Sequence, residues 1–205
     1  MPRPSHSLAD SLISHLRNID KTRAKMEQLF RSGSIVRRDI EQVYAGLYMN
    51  AITSFEHTIE TLFIGLLVGN ISPASSTVIP RVTFNSNAVA RDVVFGGQNY
   101  VDWFPYGFTE KRAKAFFRGG LPFTLLTKPE KKLLEHLLYI RNAIAHPSSF
   151  AKRRFEENLI GTLPLTSKER TPAGFLRSLF RITPTQTRYE IFTSDIVSLT
   201  NKLCR

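Results

Sequence analysis

The sequence predicts an all-α protein: an up-and-down helical bundle with an irregular insertion over about 70–108 and extra C-terminal helices. Three observations point there. Apolar residues recur at three- and four-residue spacing over two long stretches, 7–31 and 36–69, the period of an amphipathic helix. A Thr-x-x-Glu signature at Thr127 and Glu130 opens a leucine-rich run, as a capped helix start does. Only 70–98 dissolves into Ser, Pro, Asn and Gly. With 205 residues, 42% of them hydrophobic and 11% aromatic, the chain can build a sizeable core, which excludes wholesale disorder, a collagen-like repeat and a pure coiled coil. It reads as a single helical domain over 1–205, a helical extension over 1–33 followed by a bundle core over 34–205.

The first helix runs from Ser7 to Arg31, with Leu8, Leu12, Leu16, Ile19, Met26 and Phe30 at its apolar positions and Gly33 as its stop. The second spans about Val36 to Gly69, its stripe running from Ile40 through Tyr44, Leu47, Phe55, Ile59 and Leu62 to Leu66. At 1.5 Å per residue it would be about 50 Å long, either the spine of the bundle or broken near Gly46. Its greasiest stretch, Leu62–Val68, lies between Glu60 and Asn70. That is far short of the ~20 apolar residues that span a bilayer, so it reads as core. The 70–98 segment reads as a long connection with a hairpin from Val78-Ile79 and Val82-Thr83 and a short helix around Ala88–Phe95. Tyr100–Tyr106 is aromatic and irregular; Thr109 is then expected to cap a short helix through Arg118, ended by Gly119-Gly120. Thr127 and Glu130 cap the next helix, with Pro129 tolerated in its first turn. Leu133, Leu134, Leu137, Leu138, Ile140 and Ile144 follow, and Pro147 disfavours helical geometry at His146. A polar helix over about Ser149–Leu159, one starting at Thr171-Pro172 and a last over about Tyr189–Leu203 complete the chain.

The charge is lopsided: 28 Lys and Arg against 17 Asp and Glu give +11. Such an excess favours a polyanionic partner, nucleic acid or an acidic membrane face. The one cysteine, Cys204, forms no intrachain disulfide, and Met1-Pro-Arg-Pro-Ser-His lacks the apolar region of a signal peptide; a cytoplasmic location is expected. Signatures of nucleotide-binding loops, serine hydrolases and paired-cysteine sites are missing. The five histidines lack H-x-x-x-H or H-E-x-x-H spacing, so neither a metal nor a cofactor is expected.

What remains is Arg141-Asn142-Ala143-Ile144-Ala145-His146. The bare Arg–His spacing arises readily by chance in a chain this rich in Arg. The Asn after the Arg, and the position at the end of a capped amphipathic helix, make it far more specific. At about 100° per residue the three polar side chains fall within an arc of about 140°. Asn142 and His146, four apart, can touch, while Ile140 and Ile144 pair toward the core. Histidine moves protons near neutral pH, a guanidinium grips phosphate bidentately, and an amide orients either one. The set suits RNA cleavage without a metal. One histidine does not easily serve as base and acid at opposite ends of an in-line displacement, whereas two copies across a two-fold axis do.

This Arg-Asn-x-x-x-His run resembles the R-x4–6-H motif of the HEPN superfamily, nucleotide-binding and ribonuclease domains common in bacterial toxin–antitoxin and anti-phage systems. Val101-Asp-Trp-Phe-Pro-Tyr106, Arg112–Gly120, Arg141–His146 and Thr171–Arg177 are similar to stretches of a branch labelled RiboL-PSP-HEPN, over about residues 35–205. The resemblance implies a HEPN-type bundle, a homodimer with a composite active site, and an endoribonuclease cutting single-stranded or loop RNA. Cleavage would proceed by 2′-OH attack without a metal and leave a 2′,3′-cyclic phosphate. The resemblance implies Arg141 and His146 as the catalytic pair, Asn142 as the polar follower, and Glu56 on the long preceding helix as an acidic residue of the site. It implies a toxin or defence effector, with an antitoxin protein as partner.

Lys111, Arg112, Lys114 and Arg118, interleaved with Phe116 and Phe117, read as a substrate grip on the phosphate backbone, and Lys152, Arg153 and Arg154 after the motif either extend it or balance Glu156 and Glu157. The plainer reading makes these cations a solvated face. Trp103, Phe104 and Tyr106 are either base-stacking rings or a plug at the end of the bundle. The motif has a plain reading too, cations decorating a helix C-terminus, and Glu56 that of a mid-helix acid paired with a neighbouring base. Two further functions compete: a non-catalytic HEPN-like dimer that binds RNA, nucleotides or a partner protein, and a peripheral membrane protein. The modest amphipathicity of 7–31, which lacks Trp, argues against the membrane.

Overall fold

The computed structural model describes residues 1–146 and 148–205; Pro147, expected to end a helix, lies outside the described residues. Helices dominate them, and the protein is of the all-α class. In chain order the elements are β1 (Arg3–Pro4), α1 (His6–Arg31), α2 (Arg37–Val68), β2 (Ile71–Ser72), α3 (Asn87–Phe95), α4 (Tyr106–Phe116), α5 (Lys128–Ala145), α6 (Ser149–Phe155), α7 (Pro172–Arg177), β3 (Leu179–Arg181), β4 (Gln186–Thr187) and α8 (Arg188–Cys204). Packing divides the chain into two units: 1–13, 54–134 and 197–205 form unit 1, and 14–53 and 135–196 form unit 2.

Of the two outcomes open for the long second helix, the unbroken one holds: α2 runs through 32 residues. Gly46 is exposed and weakens a helix by about 1 kcal/mol relative to Ala, but it removes no backbone hydrogen bond. The fully buried Tyr44 and Tyr48 on either side carry the helix through. By length and composition α2 could cross a membrane, with a mean hydropathy of 1.3 in its most apolar window, of which 56% is buried within the protein.

In unit 1, α2 is buried from Leu62 to Leu67 on every face, which is why its apolar stripe widens there. Phe63 is the centre: its ring lies 5.0 Å from those of Phe117 and Phe123 and 5.2 Å from Trp103. Trp103 Nε1 donates to Glu60 Oε2 (3.3 Å) and the Tyr106 hydroxyl to the Phe123 carbonyl (2.8 Å), so both polar tips are satisfied inside the cluster. The expected hairpin in 70–98 does not form. Instead β2 pairs in parallel with β1, and the stretch around Pro80 runs antiparallel to Phe117. Arg81 N–H donates to Phe116 O (2.8 Å) and Arg118 N–H to Ile79 O (2.9 Å). Pro80, which has no N–H, sits between Ile79 and Arg81, whose backbone groups bond to Arg118 and Phe116 instead of across a hairpin. The short helix expected there is α3, capped by Ser86 Oγ, which accepts from Val89 N–H at 3.3 Å.

Thr109 is not a cap. The helix starts earlier, at Tyr106, and Thr109 lies buried within it, donating to the Trp103 carbonyl at 2.5 Å. It ties the aromatic loop to the helix. The capping box at α5 forms as expected: Thr127 N–H donates to Glu130 Oε2 (2.6 Å) and Glu130 N–H to Thr127 Oγ1 (3.5 Å).

Unit 2 is organised round a buried Arg23, which donates to Asp20 (2.6 Å), Glu190 (2.7 Å) and the Tyr44 hydroxyl (3.3 Å). Tyr44 donates in turn to Glu27, which also takes Arg177 at 3.0 Å. Phe155 of α6 packs edge-on against Phe175 of α7 at 5.6 Å, and Phe175 against Phe192 of α8 at 6.3 Å. The polar helix expected over Ser149–Leu159 is α6 followed by a π-helical turn, Glu156–Ile160.

Candidate functional site

The motif lies in unit 2, at the end of α5. Leu137, Ile140 and Ala143 give the helix its buried face, and the Tyr48 hydroxyl donates to the Leu137 carbonyl at 2.9 Å. Arg141 and Asn142 occupy a half-buried flank. Arg141 Nη1 donates to Asn142 Oδ1 at 3.0 Å, so the amide orients the guanidinium. The helix ends at Ala145 and His146 is the first residue beyond it. Its N–H still donates to Asn142 O (2.8 Å), and its carbonyl accepts from Ser148 N–H (2.7 Å). The backbone is thus tied on both sides while the residue stays exposed. Among the described residues no side-chain hydrogen bond joins Asn142 to His146: leaving the helix, the imidazole gives up the i,i+4 side-chain partnership expected of it, and Asn142 serves Arg141.

Ser148 starts α6, its Oγ accepting from Ala151 N–H at 3.2 Å. This helix turns Ala151 and Phe155 inward, four residues apart, which leaves Lys152, Arg153 and Arg154 exposed in succession. Arg153 approaches Glu157 only to 3.9 Å, with both side chains more than half exposed, a pair of little energetic weight. Its guanidinium carbon lies 5.8 Å from the ring centroid of Phe150, itself 63% exposed. Arg154 stands 5.3 Å over the ring of Tyr139 on α5 and donates to its hydroxyl at 3.3 Å. Tyr139 and Phe150 escape a reading of the sequence, which places Arg154 among the cations after the motif but does not give its pairing with Tyr139. The only signal is the Phe-x-x-Arg spacing of Phe150 and Arg153, which has meaning once Ala151 and Phe155 are known to face inward.

The remaining candidates lie in unit 1. Glu56 is half-buried on α2; Lys111 on α4 and Arg118 just beyond it are exposed. Arg112 is half-buried, its guanidinium 5.0 Å over the Trp103 ring and donating to the Asp102 carbonyl at 3.2 Å. Burial draws its pKa down, against the pull of Asp102. Trp103 and Tyr106 are buried and Phe104 half-buried, so these rings are core, as in the plug reading. Arg141, Asn142, His146, Lys152 and Arg153 therefore share unit 2, whereas Glu56, Lys111, Arg112 and Arg118 belong to unit 1. Among the described residues no group of three His, Cys, Asp or Glu is placed to hold a metal.

The chain matches no family model, no curated protein and no solved structure. What the helix end can do follows from its own residues. An oriented guanidinium and nearby exposed cations can hold a phosphodiester, and an exposed imidazole on a tied backbone can take or give a proton.

Proposed function

We propose that the protein is a metal-independent endoribonuclease of HEPN type, working as a homodimer on single-stranded or loop RNA. His146 carries this reading: an exposed residue on a tied backbone, five positions from a guanidinium that Asn142 orients. The excess of 28 basic over 17 acidic residues and the exposed Lys152 and Arg153 support a polyanionic substrate. One His146 takes the proton of a ribose 2′-OH, and the 2′-oxygen attacks the adjacent phosphorus. The 5′-oxygen leaves with a proton from the imidazole of the second copy. Arg141 holds the non-bridging oxygens, where negative charge grows in the transition state. The products are a 2′,3′-cyclic phosphate and a 5′-hydroxyl. Glu56 on α2 is the further acidic candidate that the resemblance implies. The resemblance to HEPN effectors supports a cytoplasmic toxin or anti-phage role with an antitoxin as partner.

The test is purified protein with single-stranded RNA in excess EDTA. Wild type is expected to cut, and His146→Ala and Arg141→Ala to lose about 10²–10⁴-fold in rate. DNA of the same sequence is expected to stay intact, and light scattering to report twice the 23.3 kDa of one chain. RNA left whole by the wild type, or variants that cut as fast, would end the proposal. RNA binding without cleavage, unchanged in His146→Ala, would leave the non-catalytic dimer as the function.

A further inference from the structure

We infer that Phe150 stacks an unpaired base of a single-stranded nucleic acid, with Lys152, Arg153 and Arg154 taking the flanking phosphates. Phe150 is not spare core. α6 already fills its inward face with Ala151 and Phe155, both under 10% exposed, and leaves the Phe150 ring 63% exposed. Other phenylalanines are exposed, Phe108 and Phe180 among them, but among the described residues no guanidinium lies over either. Phe150 differs in having Arg153 at 5.8 Å. The same surface repeats the arrangement once more, with Arg154 at 5.3 Å over Tyr139. Among the described residues neither Lys152 nor Arg154 has a carboxylate at ion-pair distance, and Arg153 reaches Glu157 only at 3.9 Å, so the positive charge here is largely uncompensated. Aromatic faces that any base can stack on, interleaved with cations that follow a phosphate backbone, are how proteins hold single strands. A stiff duplex keeps its bases stacked on each other and offers no free face to the ring.

Phe150 is four positions from His146, so the two α-carbons are at most about 14 Å apart along the chain. A base on Phe150 therefore lies within a few nucleotides of a phosphate held at His146. That placement rests on the nuclease reading, while the stacking itself does not.

The experiment keeps the two apart. In the His146→Ala protein, binding of a short oligoadenylate carrying one 2-aminopurine is followed by anisotropy and by 2-aminopurine fluorescence, with RNA and DNA versions and a duplex control. Both single strands are expected to bind more tightly than the duplex and to quench the probe. Phe150→Ala is expected to weaken binding by about 5- to 100-fold and abolish the quench, and Phe150→Trp to restore both. Equal affinity in Phe150→Ala and its parent, a preference for the duplex, or a patch that captures an acidic polypeptide but not the oligonucleotide would overturn the inference. Cleavage by the wild type, measured separately, reports on the nuclease alone: RNA cut by a protein indifferent to Phe150 removes the stacking site, and Phe150-dependent binding without cleavage removes only the nuclease.

Discussion

His146 stands beyond the end of α5 and is exposed, so truncating it opens no cavity. His146→Ala is accordingly expected to melt with the wild type, within the roughly 0.5 kcal/mol typical of surface substitutions, while cleavage is lost. A variant that loses both would mark the residue as structural. Arg141, Asn142 and His146 stand out as candidates because an Arg-Asn-x-x-x-His run at the end of a capped helix is a rare pattern, readable whatever the fold does with it. Their partnership is another matter. That Asn142 serves Arg141 depends on the helix stopping at Ala145, a boundary one residue from where the helical wheel needs it. Tyr139 and Phe150 are invisible for a related reason: the ring–guanidinium pairs they form with Arg154 and Arg153 join α5 to α6 or depend on which face of a short helix turns inward. Local pattern does not carry that information.

Three Thr-x-x-Glu sequences close on themselves in this chain. Beside Thr127 and Glu130, Thr166 and Glu169 box a single 3₁₀ turn, Ser167–Glu169, and Thr187 and Glu190 start α8, with Thr187 N–H donating to Glu190 Oε2 at 2.7 Å. Only the first stands out in the sequence, since a run of leucines follows it; the second heads one turn and the third begins on the last residue of a two-residue strand. Long helices are legible because their apolar period extends over many residues. The Val78–Thr83 stretch is not, since its backbone partners at Phe116 and Arg118 lie more than thirty residues away. Gly46 gives this scale its measurement. It is exposed on α2, and an added Cβ there would meet nothing within 4 Å. Gly46→Ala is expected to stabilise the protein by about 1 kcal/mol in urea unfolding monitored by circular dichroism. A loss of stability would show that α2 needs the glycine.

At the scale of the molecule, no linker announces two units, because α1, α2, α5 and α8 each contribute residues to both; a composition shift has nowhere to appear. Within unit 1, Lys202 of α8 holds Glu130 at the start of α5 at 2.7 Å. That hydrogen bond, joined by the Thr127 N–H, pulls the Glu130 carboxyl from an ordinary 4.5 down to about 2. A depressed folded-state pKa contributes stability that is full above 4.5 and is lost as pH falls toward 2. Acid denaturation curves are therefore expected to steepen between pH 4.5 and 2, and Glu130→Gln to flatten that part of the profile. An unchanged profile would mean that the pair contributes nothing.

The chain also carries its own timer. Cys204, the one thiol, is 1% exposed, and burial pushes its pKa up to about 12; the Ser5 hydroxyl donates to its carbonyl at 2.7 Å. A sulfur so shielded and so firmly protonated reacts with an external disulfide only during the moments when the last turn of α8 lifts away. The pace of that labelling reads out breathing of unit 1 directly, with no foreign probe placed near Arg141 or His146.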